Sequence, residues 1–121
     1  MDISSYPGLS LTRAGRILTV MLNRPEHLNA ADEAMHSSIA RVFSDCADDR
    51  ETDVVILTGA GKVFSAGGDY NSMQLSIDNP VRFDRLAVEA KRIVFSMLDC
   101  PKPIIAKVEA DSRSTISLSL E

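Results

Sequence analysis

No apolar run in this sequence approaches the roughly 20 residues needed to cross a bilayer. The first eight residues carry neither a basic n-region nor an apolar h-region, which argues against a secretory signal. Basic charge is not in excess either. Thirteen Lys and Arg stand against 17 Asp and Glu, a formal net charge of −4. A surface of that sign is a poor partner for nucleic acid or an anionic membrane. Cysteine is scarce. Cys46 and Cys100 provide neither a disulfide framework nor a zinc spacing, and the apolar pattern around each favours buried free thiols over a disulfide. The expected setting is reducing and cytoplasmic.

What is present fits one ordinary domain. The chain has 121 residues, of which 45% are hydrophobic. A domain of this size buries about 65% of the surface that its unfolded chain exposes, enough for a true core. Residues 9–13 and 16–22 are β-like and joined through Ala14-Gly15, which predicts a hairpin. Pro25 then ends the strand, because proline donates no hydrogen bond to a ladder. From Asp32, a plausible N-cap, Met35, Ile39, Val42, Phe43 and Cys46 fall on one face of a 3.6-residue period. Residues 53–58 form a β-branched run suited to a strand buried on both faces. A loop is expected from Phe64 to Asn79-Pro80, where asparagine at N-cap and proline at N1 open a second helix. Its apolar face would carry Phe83, Leu86, Ala87, Ala90, Ile93, Val94 and Met97. Cys100 to Pro103 stops it, and residues 104–108 make one more strand. Strands alternating with helices favour an α/β layer with parallel pairing. Residues 109–121 read as a divergent polar tail.

The most suggestive local feature is Phe64-Ser65-Ala66-Gly67-Gly68-Asp69, just past the buried strand. Small residues let a ligand approach the backbone closely, and N–H groups beyond the carboxyl end of a strand can cradle an anion or polarise a carbonyl. A plain glycine turn is the alternative. Two nucleotide motifs fail at Gly59-Ala60-Gly61-Lys62. A P-loop needs glycine at Ile56 and Ser or Thr at Val63, and the dinucleotide pattern needs glycine at Phe64. Lys62 is then a solvated turn residue. His27 and His36 read as surface residues. The run Asp45, Asp48, Asp49, Glu51 and Asp53 reads as a solvated helix end without calcium-loop spacing. No Gly-x-Ser-x-Gly elbow appears.

Three blocks carry a resemblance: residues 22–30 (Leu-Asn-Arg-Pro-Glu-His-Leu-Asn-Ala), 55–69 (Val-Ile-Leu-Thr-Gly-Ala-Gly-Lys-Val-Phe-Ser-Ala-Gly-Gly-Asp) and 100–108 (Cys-Pro-Lys-Pro-Ile-Ile-Ala-Lys-Val). In residue type, order and spacing the chain resembles the N-terminal part of the crotonase superfamily, the enoyl-CoA hydratase/isomerase group. The resemblance implies an α/β, crotonase-like ββα spiral, here truncated, with residues 1–108 as its N-terminal part. It implies an acyl-CoA thioester as partner, no separate cofactor because coenzyme A is part of the substrate, and a homo-oligomer, trimeric or hexameric. The N–H of Gly68 would be one oxyanion-hole donor. Leu28, Ala30, Ala66, Gly67, Gly68 and Asp69 would line the substrate and CoA site, with the Ala66 carbonyl and the backbone at Leu28 and Ala30 holding adenine.

Departures from the family pattern shape the functional reading. Glu26 and Asn71 stand where many relatives place lysines for CoA phosphates. Thr115 falls at the second oxyanion donor and Leu118 at the first catalytic glutamate. The expected ancestral chemistry is hydration or isomerisation of a 2-enoyl-CoA through a thioester enolate, with this chain inactive by itself. The alternative is a non-catalytic fragment that binds acyl-CoA or a homologue. Asp69 would be structural or substrate-lining, not the base.

Overall fold

The computed structural model describes residues 1–108. The expectations placed on the polar tail, Thr115 and Leu118 lie outside the described residues.

Strands β1 (Leu9–Ala14) and β2 (Ile17–Leu22) form the expected hairpin, with the turn shifted to Gly15-Arg16. Helix α1 (Glu33–Asp48) follows a short 3-10 turn at Pro25–His27. Strand β3 (Val54–Gly59), helix α2 (Tyr70–Ile77), helix α3 (Pro80–Asp99) and strand β4 (Ile104–Lys107) complete the order. The sheet runs β1-β2-β3-β4. The first pair is antiparallel, and β2–β3 and β3–β4 are parallel.

The alternation of the strands sends Leu11, Leu18, Val20, Leu22, Val55 and Leu57 into the core, where they meet Met35, Val42, Phe43 and Cys46 of α1. Phe43 is fully buried, and a side chain of that size contributes about 1.5–3 kcal/mol by leaving water. Helix α1 begins as expected, with the Asp32 side chain accepting from the Met35 N–H at 2.9 Å. No basic residue lies in its last turn, and Lys102 serves instead. Its ammonium donates to the carbonyl of Cys46 at 2.7 Å and also to that of Asp49, the cationic partner that a helix C-terminus favours. Both cysteines are free thiols. Burial pushes the Cys46 thiol up to about 12.

Three expectations need correction. The segment after Asp69 is not loop throughout, because α2 occupies eight residues of it. The acidic run is not simply solvated. Asp45 accepts from the Tyr6 hydroxyl at 2.5 Å, and Asp49 binds Thr52 and Arg13 at 2.6 and 2.9 Å. The apolar face of α3 is also less covered than its periodicity suggests. Leu86, Ile93 and Met97 are half-buried, but Phe83, Ala87, Ala90 and Val94 are exposed, and no residue of α3 is fully buried. On its other flank Val81 is 80% and Phe95 59% exposed.

Candidate functional site

Two segments distant in sequence build the site, residues 23–31 and 59–69. Asn29 joins them. Its amide donates to the carbonyls of Ala60 and Val63 at 2.8 and 2.7 Å, and its Oδ1 accepts from the Arg24 N–H at 2.8 Å. The residue is 1% exposed and holds φ at +57°, a left-handed conformation that asparagine tolerates better than most. Gly59 makes the approach possible. A Cβ there would lie 2.4 Å from the Phe64 oxygen and 3.0 Å from the Asn29 amide nitrogen. Arg24 makes the second clasp, donating to the Ala30 carbonyl and to Asp69 Oδ2 at 3.3 Å.

From Ala66 to Asp69 the loop's N–H groups are then largely committed. The Ala66 N–H donates to Leu28 O at 3.0 Å, and the Asp69 N–H to Ala31 O at 2.9 Å. The Gly67 N–H donates to the Ser65 hydroxyl at 3.0 Å. Ala31 and Gly68 form a parallel bridge through the flanking Gly67 carbonyl and Asp69 N–H. Successive amides alternate in direction, so the Gly68 N–H points away from that bridge, and it has no partner among the described residues. The Ala66 carbonyl is likewise free of a backbone partner among them. The polar groups of Leu28 and Ala30, by contrast, are engaged. Leu28 N–H donates to Pro25, Ala30 N–H donates to His27, and the Ala30 carbonyl accepts from Arg24.

Asp69 is structural. Its Oδ1 accepts from the Ser72 N–H at 3.2 Å, capping α2, while Oδ2 faces Arg24. The Ser72 hydrogen bond, followed by Arg24, holds its carboxyl below the usual carboxylate range. A group so committed is no general base.

Gly68 also lines a cavity of about 290 Å³ between α1, α2 and α3, with Met73 and Leu86 among its apolar walls. His36 enters the same cavity, which corrects its reading as a surface residue; His27 is exposed as expected. The reason is tertiary. Glu89 of α3 reaches across to place Oε1 3.1 Å from His36 Nδ1, and its Oε2 accepts from the Ser37 hydroxyl at 2.6 Å. Arg24, Asn29, His36 and Glu89 were not singled out as site residues from sequence. For Arg24 and Asn29 a signal existed, since both lie in the first of the three blocks that carry the resemblance. For Glu89 there was none. Among the described residues, no group of three His, Cys, Asp or Glu side chains is arranged to hold a metal ion, and no helix is long and apolar enough to cross a membrane.

A mixed sheet opened by a hairpin, with a glycine loop after its third strand offering a free backbone N–H, defines part of a crotonase fold. Comparison with known proteins agrees. The enoyl-CoA hydratase/isomerase family model matches residues 12–113. The chain is 32% identical over 107 residues to 1,2-epoxyphenylacetyl-CoA isomerase of Escherichia coli, covering 84% of this chain and 41% of that protein. It is 32% identical over 114 residues to the mitochondrial Delta(3,5)-Delta(2,4)-dienoyl-CoA isomerase of Rattus norvegicus, covering 86% and 35%. Among solved structures, an enoyl-CoA hydratase/isomerase from Mycobacterium paratuberculosis superposes with a TM-score of 0.84 at 28% identity, over 90% of this chain and 43% of that one. This chain belongs to the enoyl-CoA hydratase/isomerase family. It spans less than half the length of these relatives.

Proposed function

We propose that the chain binds an acyl-CoA thioester and polarises its carbonyl at the Gly68 N–H. One observation carries this reading. Of the four N–H groups from Ala66 to Asp69, three are spent on Leu28, Ser65 and Ala31, and Gly68 alone is left to donate. A donor fixed in advance costs no reorganisation when charge develops on the thioester oxygen, and such a donor is typically worth about 2.7–4 kcal/mol in barrier height. The Ala66 carbonyl, equally uncommitted, supports adenine binding by its position two residues away. The engaged groups at Leu28 and Ala30 favour a shape role for those residues. Hydration would also require a carboxylate that orients water. Asp69 is spent on capping, and by the resemblance Leu118 stands where hydratases carry their first glutamate. These residues therefore bind and polarise a thioester without themselves supplying the groups for hydration, and we place them in a homo-oligomer and in a cytoplasmic setting.

Calorimetry with acetoacetyl-CoA and free CoA tests this. Acetoacetyl-CoA carries enolate character at the thioester, so Gly68→Pro should weaken it by about tenfold or more beyond any loss of affinity for free CoA. Equal effects on both ligands would refute the oxyanion role.

A further inference from the structure

We infer that His36, oriented by Glu89, is a proton-transfer base acting on the thioester that Gly68 polarises; this rests on the reading above. Three observations converge. His36 and Gly68 line the same cavity. Both members of the pair are mostly withdrawn from water, at 18% and 15% exposure. The carboxylate is held at both oxygens, by the imidazole at 3.1 Å and the Ser37 hydroxyl at 2.6 Å. An interhelical tie needs only one hydrogen bond. Here a carboxylate fixed by a second donor fixes an imidazole in turn, the order of base and orienting group that proton transfer requires. A carboxylate only accepts, so Nδ1 carries a proton, and in the neutral imidazole it is Nε2 that holds the lone pair. No partner for Nε2 is found among the described residues. The other charges at this end of the cavity are spoken for. Arg82 and Arg85 both pair with Glu33, and Asp32 lies 3.6 Å from Arg24.

The step balances without a co-reactant. The Cα–H bond of the thioester breaks and its proton goes to Nε2 of His36. The electron pair moves onto the thioester oxygen, toward the Gly68 N–H. The imidazolium so formed faces the Glu89 carboxylate, which offsets its charge. Return of the proton to Cα restores the substrate. Return to Cγ of a 3-enoyl chain shifts the double bond to the 2-position, an isomerisation that needs one base and no oriented water.

The test uses the whole chain with 3-butenoyl-CoA in D2O, followed by proton NMR. Wild type should exchange the Cα protons above the buffer rate, and His36→Gln should lose at least about a hundredfold of that excess with CoA affinity unchanged. Glu89→Gln should lower exchange less, since its amide oxygen still accepts from Nδ1–H but offers no charge to the imidazolium, and it should leave CoA affinity unchanged, whereas loss of a merely structural tie would lower both. His36→Asn serves if His36→Gln fails to fold. Exchange equal in wild type and both His36 variants, or none in a wild type that binds the thioester, would overturn the role of His36 alone. Failure of wild type to bind any CoA thioester would overturn the oxyanion reading with it.

Discussion

The side-chain amide of Asn29 donates to the carbonyl of Val63 at 2.7 Å, across 34 positions of sequence. With its bonds to Ala60 and Arg24, this buried group welds the turn after β2 to the loop after β3. Asn29→Ala should destabilise the fold by about 2–4 kcal/mol, since three polar partners lose their bonds in a buried site. Asn29→Asp should be no better than alanine, because it sets a carboxylate oxygen against two carbonyl oxygens. Urea unfolding of the three proteins compares them, and an unchanged midpoint for either variant would contradict the weld.

Asp49 predicts an acid limb of stability. Its carboxyl is lowered to about 2, first by the Thr52 hydroxyl and then by Arg13. The unfolded value is about 3.9. A carboxyl depressed on folding contributes stability that is complete above its unfolded value and disappears as pH falls through the folded one. Wild type should therefore lose stability between about pH 4 and about pH 2 more steeply than Asp49→Asn. Thermal unfolding across that range measures it. Parallel curves would mean that Asp49 is not the group responsible.

Val81, Val88, Phe95 and Leu98 of α3 are all more than half exposed, and so is Ile105 on β4, the edge strand of the described sheet. Apolar area of this extent drives association, and an open edge adds to it. The chain should form oligomers at micromolar concentration in sedimentation velocity. Val88→Glu with Phe95→Lys should shift it toward monomer. A monodisperse wild-type monomer would contradict this.

Glu26 and Asn71 are both exposed near the loop, at positions where the family resemblance implies lysines. Each missing charge-assisted phosphate contact is worth about 1.5–3 kcal/mol. Free CoA should therefore bind no tighter than about 0.1 mM, and Glu26→Lys with Asn71→Lys should strengthen it by roughly a hundredfold. Titration calorimetry decides. Micromolar binding by wild type would point to other cations, such as Lys62.

Local signals are legible where one segment carries the whole cause. The Asp32 cap, the α1 face and the Asn79-Pro80 start of α3 are confirmed by hydrogen bonds to Met35 and Arg82 and by the burial of Phe43. Helix α2 is not legible in the sequence because its eight residues bury little: Tyr70, Met73, Leu75 and Ile77 are exposed, so no apolar stripe announces it. The glycine loop was recognisable as a ligand-binding candidate and the resemblance pointed to the Gly68 N–H, but that the neighbouring N–H groups are spent on Leu28, Ser65 and Ala31 was not legible.

The sequence by itself determined the four strands, helices α1 and α3, the core face of α1 and the identity of the loop, because caps, periodicity and glycine act over a few residues. Tertiary structure alone decided that Arg24 meets Asp69 and that Glu89 turns His36 from a surface residue into a cavity group. Those contacts join residues 45 and 53 positions apart. They depend on how helices cross and strands pair, and no local pattern encodes that. It is settled only when the apolar faces are buried together and each remaining polar group must find a partner.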